Sequence, residues 1–129
     1  MKKWKNIIYP IGVGLIVLFL LHFVFFIGYV PTASMEPTIM KGSLLMGIRL
    51  FDDLTVGDVV VFEWEDQLLV KRIYATEGMI VEHNGMEEWV PDECFYMVGD
   101  NSECTYDSRN WGAPFVHKGR IIAKVFLTR

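Results

Sequence analysis

Between Ile7 and Val30 the chain runs for 24 residues without a formal charge, and a membrane-spanning helix needs about 20. That run constrains the fold more than any other feature. A secretory signal has an apolar region of only about 7–15 residues, with small residues at −3 and −1 of its cleavage site. Here Ala33 would take −1 and Pro31 would take −3, a poor fit. The run therefore reads as an uncleaved transmembrane anchor over residues 7–28. Lys2, Lys3 and Lys5 precede it, and only Lys41 lies close behind it. The positive-inside bias puts residues 1–6 in the cytoplasm and residues 29–129 outside, which makes the chain a single-pass protein of the cell membrane. Pro10 sits in the first turns of the expected span, where its missing N–H costs little. His22 falls in the middle of it, where a neutral imidazole is tolerable and a structural role suffices.

Of 129 residues, those from 31 onward hold nine Lys/Arg against sixteen Asp/Glu. An acidic outer part excludes nucleic acid as a partner, because phosphate binding needs clustered cations. Cys94 and Cys104 both lie on the outer side, where a disulfide is allowed. Sequence does not give the Cα separation that a bridge needs, so the pairing stays open. There is no Cys-x-x-Cys or Cys/His metal spacing, and His83 and His117 stand alone, so neither a metal nor another cofactor is expected.

Beyond the anchor the pattern is β. Short apolar runs recur between turn signals at Leu44–Ile48, Val59–Phe62, Leu68–Tyr74, Met79–Glu82, Phe95–Val98 and Ile121–Phe126. Asn84-Gly85 is a strong hairpin signal, since both residues tolerate φ > 0. No helical periodicity is sustained past residue 31. The expected fold is mainly β: one small antiparallel domain behind one N-terminal transmembrane helix. The polar stretch Gly99–Gly112 interrupts the strands with 14 residues, longer than an ordinary connection. Loops of that kind are functional or disordered, and Tyr106 and Trp111 argue against disorder.

Two side chains stand out chemically. Ser34 lies in Val30-Pro-Thr-Ala-Ser-Met-Glu-Pro-Thr-Ile39, directly after the anchor, and Lys71 lies inside the apolar strand Leu68-Leu-Val-Lys-Arg-Ile73. A serine hydroxyl is a weak nucleophile that needs a base. A lysine serves only when neutral, and burial among apolar groups favours that form. Strand alternation puts Lys71 on one face with Leu69 and Ile73, opposite Val70 and Arg72. On residues alone, Lys71 reads first as a strand lysine that guards an edge against aggregation.

Four segments tip that balance: Ser34-Met-x-Pro-Thr-Ile, Val56-Gly-Asp-Val-Val-Val-Phe, Val70-Lys-Arg-Ile, and Gly99-Asp-Asn with Asp107-Ser-Arg-x-Trp-Gly112. In order and form they resemble the type I signal peptidase family, in its bacterial Ser/Lys form. The resemblance implies a membrane-bound serine endopeptidase that removes signal peptides from exported preproteins, with the lipid bilayer as its other partner. It implies Ser34 as nucleophile and Lys71 as general base. Thr32 would join the Ser34 N–H in binding the oxyanion, and Thr105 would orient the base. Arg72, Asp100, Asp107 and Arg109 match charged positions that pair to hold the loop. Val30, Pro31, Leu69 and Val70 match segments that flank the substrate and form pockets for Ala-like residues. Ser102 departs from the Arg of many members. Only 25 residues separate Ile73 from Gly99, so the extra β subdomain of larger members is expected to be missing. The competing reading is a non-catalytic, membrane-tethered assembly factor that kept the fold.

Overall fold

The uncharged run divides into two elements. In the computed structural model, which describes residues 2–104 and 106–129, helix α1 covers Lys2–Val24 and strand β1 covers Phe25–Tyr29. The 23 residues of α1, at ~1.5 Å each, reach about 34 Å, enough for a hydrocarbon layer of about 30 Å. None of them is buried, and the mean hydropathy reaches 2.5 over an 18-residue window. Compared with the anchor expected at 7–28, the helix begins and ends earlier. Lys2, Lys3 and Lys5 are part of it, Pro10 is inside it rather than in its first turns, and His22 belongs to its last turn rather than its middle.

The helix stops because a strand partner competes for the residues after Val24. Strand β2, Leu44–Ile48, pairs antiparallel with β1 from Phe25↔Ile48 to Tyr29↔Leu44. Phe25, Phe26 and Ile27 favour a pleated surface. The Arg49 N–H then bonds the Val24 carbonyl at 2.7 Å, satisfying a group that the helix end leaves open.

The remaining strands are β3 (Val59–Trp64), β4 (Gln67–Thr76), β5 (Ile80–His83), β6 (Met86–Trp89), β7 (Cys94–Val98), β8 (Phe115–His117) and β9 (Ile121–Thr128). Seven of the strands form one antiparallel sheet in the order β1-β2-β9-β3-β4-β7-β8, while β5 and β6 pair separately. Asn84 and Gly85 join that hairpin with φ of 52° and 78°, the left-handed pair that a two-residue type I′ turn requires. The six strands expected from sequence all form. β1 and the three-residue β8 were not expected.

Alternate residues of β3 explain why Val59–Phe62 is apolar without a break. Val60 and Phe62 join a cluster with Ile73, Met97, Trp111 and Val116. Val61, on the other face, packs with Val30, Met35, Ile39, Leu45 and Ala123. A strand covered on both sides cannot alternate. The register slips at Met46/Gly47, Val61/Phe62 and Ile73/Ala75, and such irregularities sharpen local twist. The sheet curls so far that residues of β1 and β4, four places apart in its order, line one cleft.

Candidate active site

Lys71 is the residue that most needs explaining. It stands directly across from Val60 on β3 and is only 2% exposed. Ile73, on the same face, is equally buried, as strand alternation from Leu69 requires. Desolvation pushes the Lys71 amine below its ordinary pKa; Asp107 and Cys104 oppose that shift, and Arg109 adds to it. Burial wins because no carboxylate forms an ion pair with the amine among the described residues. The bland reading, an edge lysine in water, fails on this burial.

Ser34 lies in the turn after Val30, nine-tenths buried. Two anchors hold the start of that turn: the Val30 N–H bonds the Ser43 carbonyl at 3.0 Å, and the Gly42 N–H bonds the Val30 carbonyl at 2.8 Å. Asn101 holds its middle. The Asn101 N–H donates to the Ser34 carbonyl at 2.9 Å, and its Nδ2 donates to the Ala33 carbonyl at 2.8 Å. The Ser34 N–H has no acceptor among the described residues. The Thr32 and Ser34 hydroxyls lie 3.2 Å apart, within hydrogen-bond distance.

Gly99 joins serine to lysine. A Cβ at this position would lie 2.6 Å from the Ser34 carbonyl oxygen and 3.5 Å from Lys71 Nζ. The Ser34 carbonyl therefore crowds a point of backbone that only glycine leaves open, and Lys71 Nζ sits within contact distance of the same point. The Gly99 N–H is held by Asp107 Oδ2 at 2.9 Å.

Asp107 organises the loop. Its side chain is fully buried, and besides Gly99 it accepts from the Arg109 N–H at 3.1 Å, Nε at 2.9 Å and Nη2 at 2.7 Å. Burial alone would raise this acid, but the Arg109 guanidinium and the two backbone N–H groups outweigh it and hold the carboxyl below its ordinary range. Next to it, the Ser108 hydroxyl accepts from the Met97 N–H at 2.9 Å and donates to the Pro114 carbonyl at 2.7 Å. The second pair crosses from strand to loop: Arg72 Nε and Nη2 donate to the two Asp100 oxygens at 2.9 and 2.7 Å. Arg72 Nη1 also reaches the Gly57 carbonyl at 2.7 Å. These bonds, with help from the Thr38 hydroxyl, lower the Asp100 carboxyl against an opposing desolvation.

The cleft in front of Ser34 and Lys71 has a volume of about 400 Å³. Val30, Pro31 and Thr32 form one wall, Leu69 and Val70 the other, and Met35 and Val61 are among its remaining lining. Two backbone edges open onto it. β1 pairs only with β2, and β7 takes up β4 only from Arg72 to Thr76, so Gln67–Lys71 lacks a second partner. An extended peptide laid between these edges finds main-chain groups on both sides.

Ser34, Lys71, Thr32, Val30, Pro31, Leu69 and Val70 thus meet at one cleft, and the four charged residues form two pairs behind it. Thr105 lies outside the described residues. Sequence reasoning passed over Asn101, Gly99 and Ser108 as individual contributors. The first two stand in the Gly99-Asp-Asn segment, but a carboxamide that bonds a carbonyl 68 positions away leaves no local trace. Cys94 and Cys104 are free thiols, and Cys104 Sγ accepts from Asn101 Nδ2 at 3.6 Å.

The profile of the family described as signal peptidase, peptidase S26, matches residues 1–87. The chain is 26% identical over 133 residues to the probable signal peptidase I-2 of Synechocystis sp., covering 77% of this chain and 60% of that protein. It is 29% identical over 120 residues to the probable signal peptidase I-1 of the same organism, covering 65% and 61%. The chloroplastic thylakoidal processing peptidase 1 of Arabidopsis thaliana is 30% identical over 122 residues, with 64% of this chain and 36% of that protein covered. The chain therefore spans about three fifths of the length of its first two relatives.

Proposed function

The chain belongs to the signal peptidase family, peptidase S26, and on that premise we propose that it is a membrane-anchored serine endopeptidase that removes signal peptides from exported preproteins. One observation carries the proposal: a lysine 2% exposed, its amine biased toward the neutral form by burial, lines the same cleft as Ser34.

The preprotein lies extended between the edges of β1 and β4, with small residues in pockets bordered by Val30, Pro31, Leu69 and Val70. Ser34 Oγ attacks the scissile carbonyl carbon while neutral Lys71 Nζ takes the hydroxyl proton. The carbonyl oxygen becomes an oxyanion that the Ser34 N–H and the Thr32 hydroxyl meet. Collapse breaks the C–N bond, and the Lys71 ammonium returns its proton to the leaving amine. Lys71 then takes a proton from water, whose oxygen attacks the acyl-enzyme ester; the C–Oγ bond breaks, and the Lys71 ammonium returns that proton to Ser34 Oγ. Thr105 supplies the hydroxyl that aims the Lys71 lone pair, a role that rests on the resemblance of the loop. Arg72, Asp100, Asp107 and Arg109 hold the loop and do not react. Helix α1 crosses the bilayer with Lys2, Lys3 and Lys5 on the cytoplasmic side, so the cleft opens where an exported cleavage site emerges.

The test is incubation of the purified full chain with a preprotein bearing an Ala-x-Ala site. We expect one cut after the second alanine and none with a folded Ser34→Ala. Intact preprotein with the wild-type chain across pH 7–9 would favour the tethered assembly factor instead.

A further inference from the structure

A second cleft lies where α1 meets the sheet, away from Ser34 and Lys71. It has a volume of about 530 Å³, and Leu18, Leu21 and His22 of the helix face Ile27, Met46 and Arg49 across it. Its chemistry is divided. Apart from His22, the helix side is apolar and continues the surface of the spanning helix, none of which is buried. The sheet side carries a cation held in place. Arg49 Nε donates to the Phe25 carbonyl at 3.2 Å, and its guanidinium lies 5.2 Å from the Phe26 ring centre. Those contacts use one edge of the fork. The other edge forms no ion pair among the described residues, although Arg presents paired N–H groups suited to a phosphate.

The height of the cleft matters as much as its chemistry. Arg49 caps the helix end through its N–H, so its guanidinium sits at the level where the apolar helix gives way to the domain. His22, in the last turn of α1, is the second polar side chain at that level. A mobile surface arginine would explain a charge near a membrane. It does not explain a guanidinium pinned by a backbone carbonyl and an aromatic ring, beside an acyl-sized apolar wall.

We infer that this cleft holds one anionic phospholipid of the adjoining leaflet, its phosphate on the free edge of Arg49 and its acyl chain along Leu18 and Leu21. His22 donates to the phosphate or ester oxygens, which gives that residue a role beyond packing. The bound lipid ties β2 to the end of α1. Because β1 leads from that junction directly into Val30, it also fixes the depth of the Ser34 cleft against the bilayer.

The test uses the full-length chain carrying Ser34→Ala, so no cleavage is involved and the outcome is separable from the proposal for Ser34 and Lys71. The protein is extracted from vesicles of phosphatidylcholine containing one fifth phosphatidylglycerol, and retained lipids are counted by native mass spectrometry. The ratio of phosphatidylglycerol to phosphatidylcholine among retained lipids should be about fivefold that in the vesicles, the effect of one basic residue at an anionic surface. Arg49→Gln should abolish the enrichment, and Arg120→Gln, remote from the cleft, should keep it. Equal retention of the two lipids by the parent chain, or undiminished enrichment in Arg49→Gln, overturns the inference. If Arg49→Gln fails to fold, Leu21→Trp fills the acyl wall without touching the cap. Undiminished phosphatidylglycerol in that variant overturns it too.

Discussion

Two excursions leave the sheet, and they are built in opposite ways. The β5–β6 hairpin has regular backbone pairing from Ile80↔Trp89 to His83↔Met86, yet Ile80, Met86 and Trp89 stay exposed. The Gly99–Gly112 loop has no strand or helix among its described residues, yet it carries the fully buried side chains of Asp107 and Ser108. In the hairpin, backbone groups satisfy one another, and only Val81 and His83 of its strands turn inward while the rest of its side chains stay at the surface. In the loop the backbone bonds outward, to the Ser34 and Met97 carbonyls, and inward to its own Asp107 carboxylate. Regular structure is therefore a poor guide to rigidity. A site that must crowd a serine carbonyl against a glycine beside a lysine amine is better served by the irregular segment, whose groups are free to bond inward.

The largest effect should come from the residue that the loop encloses. Lys71→Met keeps the shape of the side chain and removes the base, so cleavage should fall by about 10²–10⁴-fold. The folded midpoint should rise, because a buried cation is gone. The sign follows from the lowered Lys71 pKa. Between that lowered value and the ordinary value near 10.5, the unfolded chain binds more protons, so wild-type stability climbs with pH. The advantage of Lys71→Met is therefore largest below the folded pKa and shrinks toward pH 10. Denaturant melts at several pH values check this, and a variant less stable than wild type at pH 6 would contradict it. Wild-type turnover should rise over the same range as the amine loses its proton.

Next comes the anchor of the loop. Asp107→Ala leaves the Gly99 N–H and the Arg109 guanidinium without their acceptor. Breaking a buried pair costs about 3–5 kcal/mol, and the lower end applies because Arg109 keeps part of its side chain in water. Wild type should lose this contribution as pH drops through the lowered Asp107 pKa, whereas it is fully present above the ordinary carboxylate value. An Asp107→Ala chain that melts within about 1 kcal/mol of wild type, the value of a surface pair, would make the loop no better anchored than the hairpin.

Gly99→Ala sharpens the comparison inside the site. Its methyl would lie 2.6 Å from the Ser34 carbonyl oxygen, so the turn has to move. Overpacking of this kind costs about 1–3 kcal/mol, and displacement of the nucleophile by about 1 Å lowers turnover roughly 10²-fold. Unchanged turnover would mean that Gly99 does not set the position of Ser34.

The smallest effect belongs to the hairpin. Gly85→Ala forces a side chain onto φ of 78°, at about 1 kcal/mol. Cleavage should stay at the wild-type rate, because nothing in β5 or β6 lines the cleft. A matching fall in activity would show that the hairpin supports the site after all.

Much of the fold is readable from the residues. Asn84-Gly85 needs only its own φ preferences, and the six expected strands between Leu44 and Phe126 need only their patterns of apolar residues. Lys71 in an apolar strand beside Arg72 is a warning of a buried amine, because alternation alone sends the two to opposite faces. β1 is not readable in this way. Phe25, Phe26 and Ile27 continue an apolar run that suits a membrane helix as well as a strand, and no local preference separates the two. The hydrogen bonds of β2 do, from a partner far along the chain. The reach of Asn101 to Ala33 escapes for the same reason.

What the residues determined by themselves is whatever depends on near neighbours: an apolar segment long enough to span, strands with one or two buried faces, a left-handed turn, and a serine and lysine of the right types. Their meeting at one cleft was decided by the tertiary structure. The curl of the sheet brings β1 opposite β4, and Asp107 draws Gly99 into the gap between Ser34 and Lys71. Desolvation of an amine and crowding of a carbonyl are properties of surroundings. Surroundings exist only once distant segments have packed.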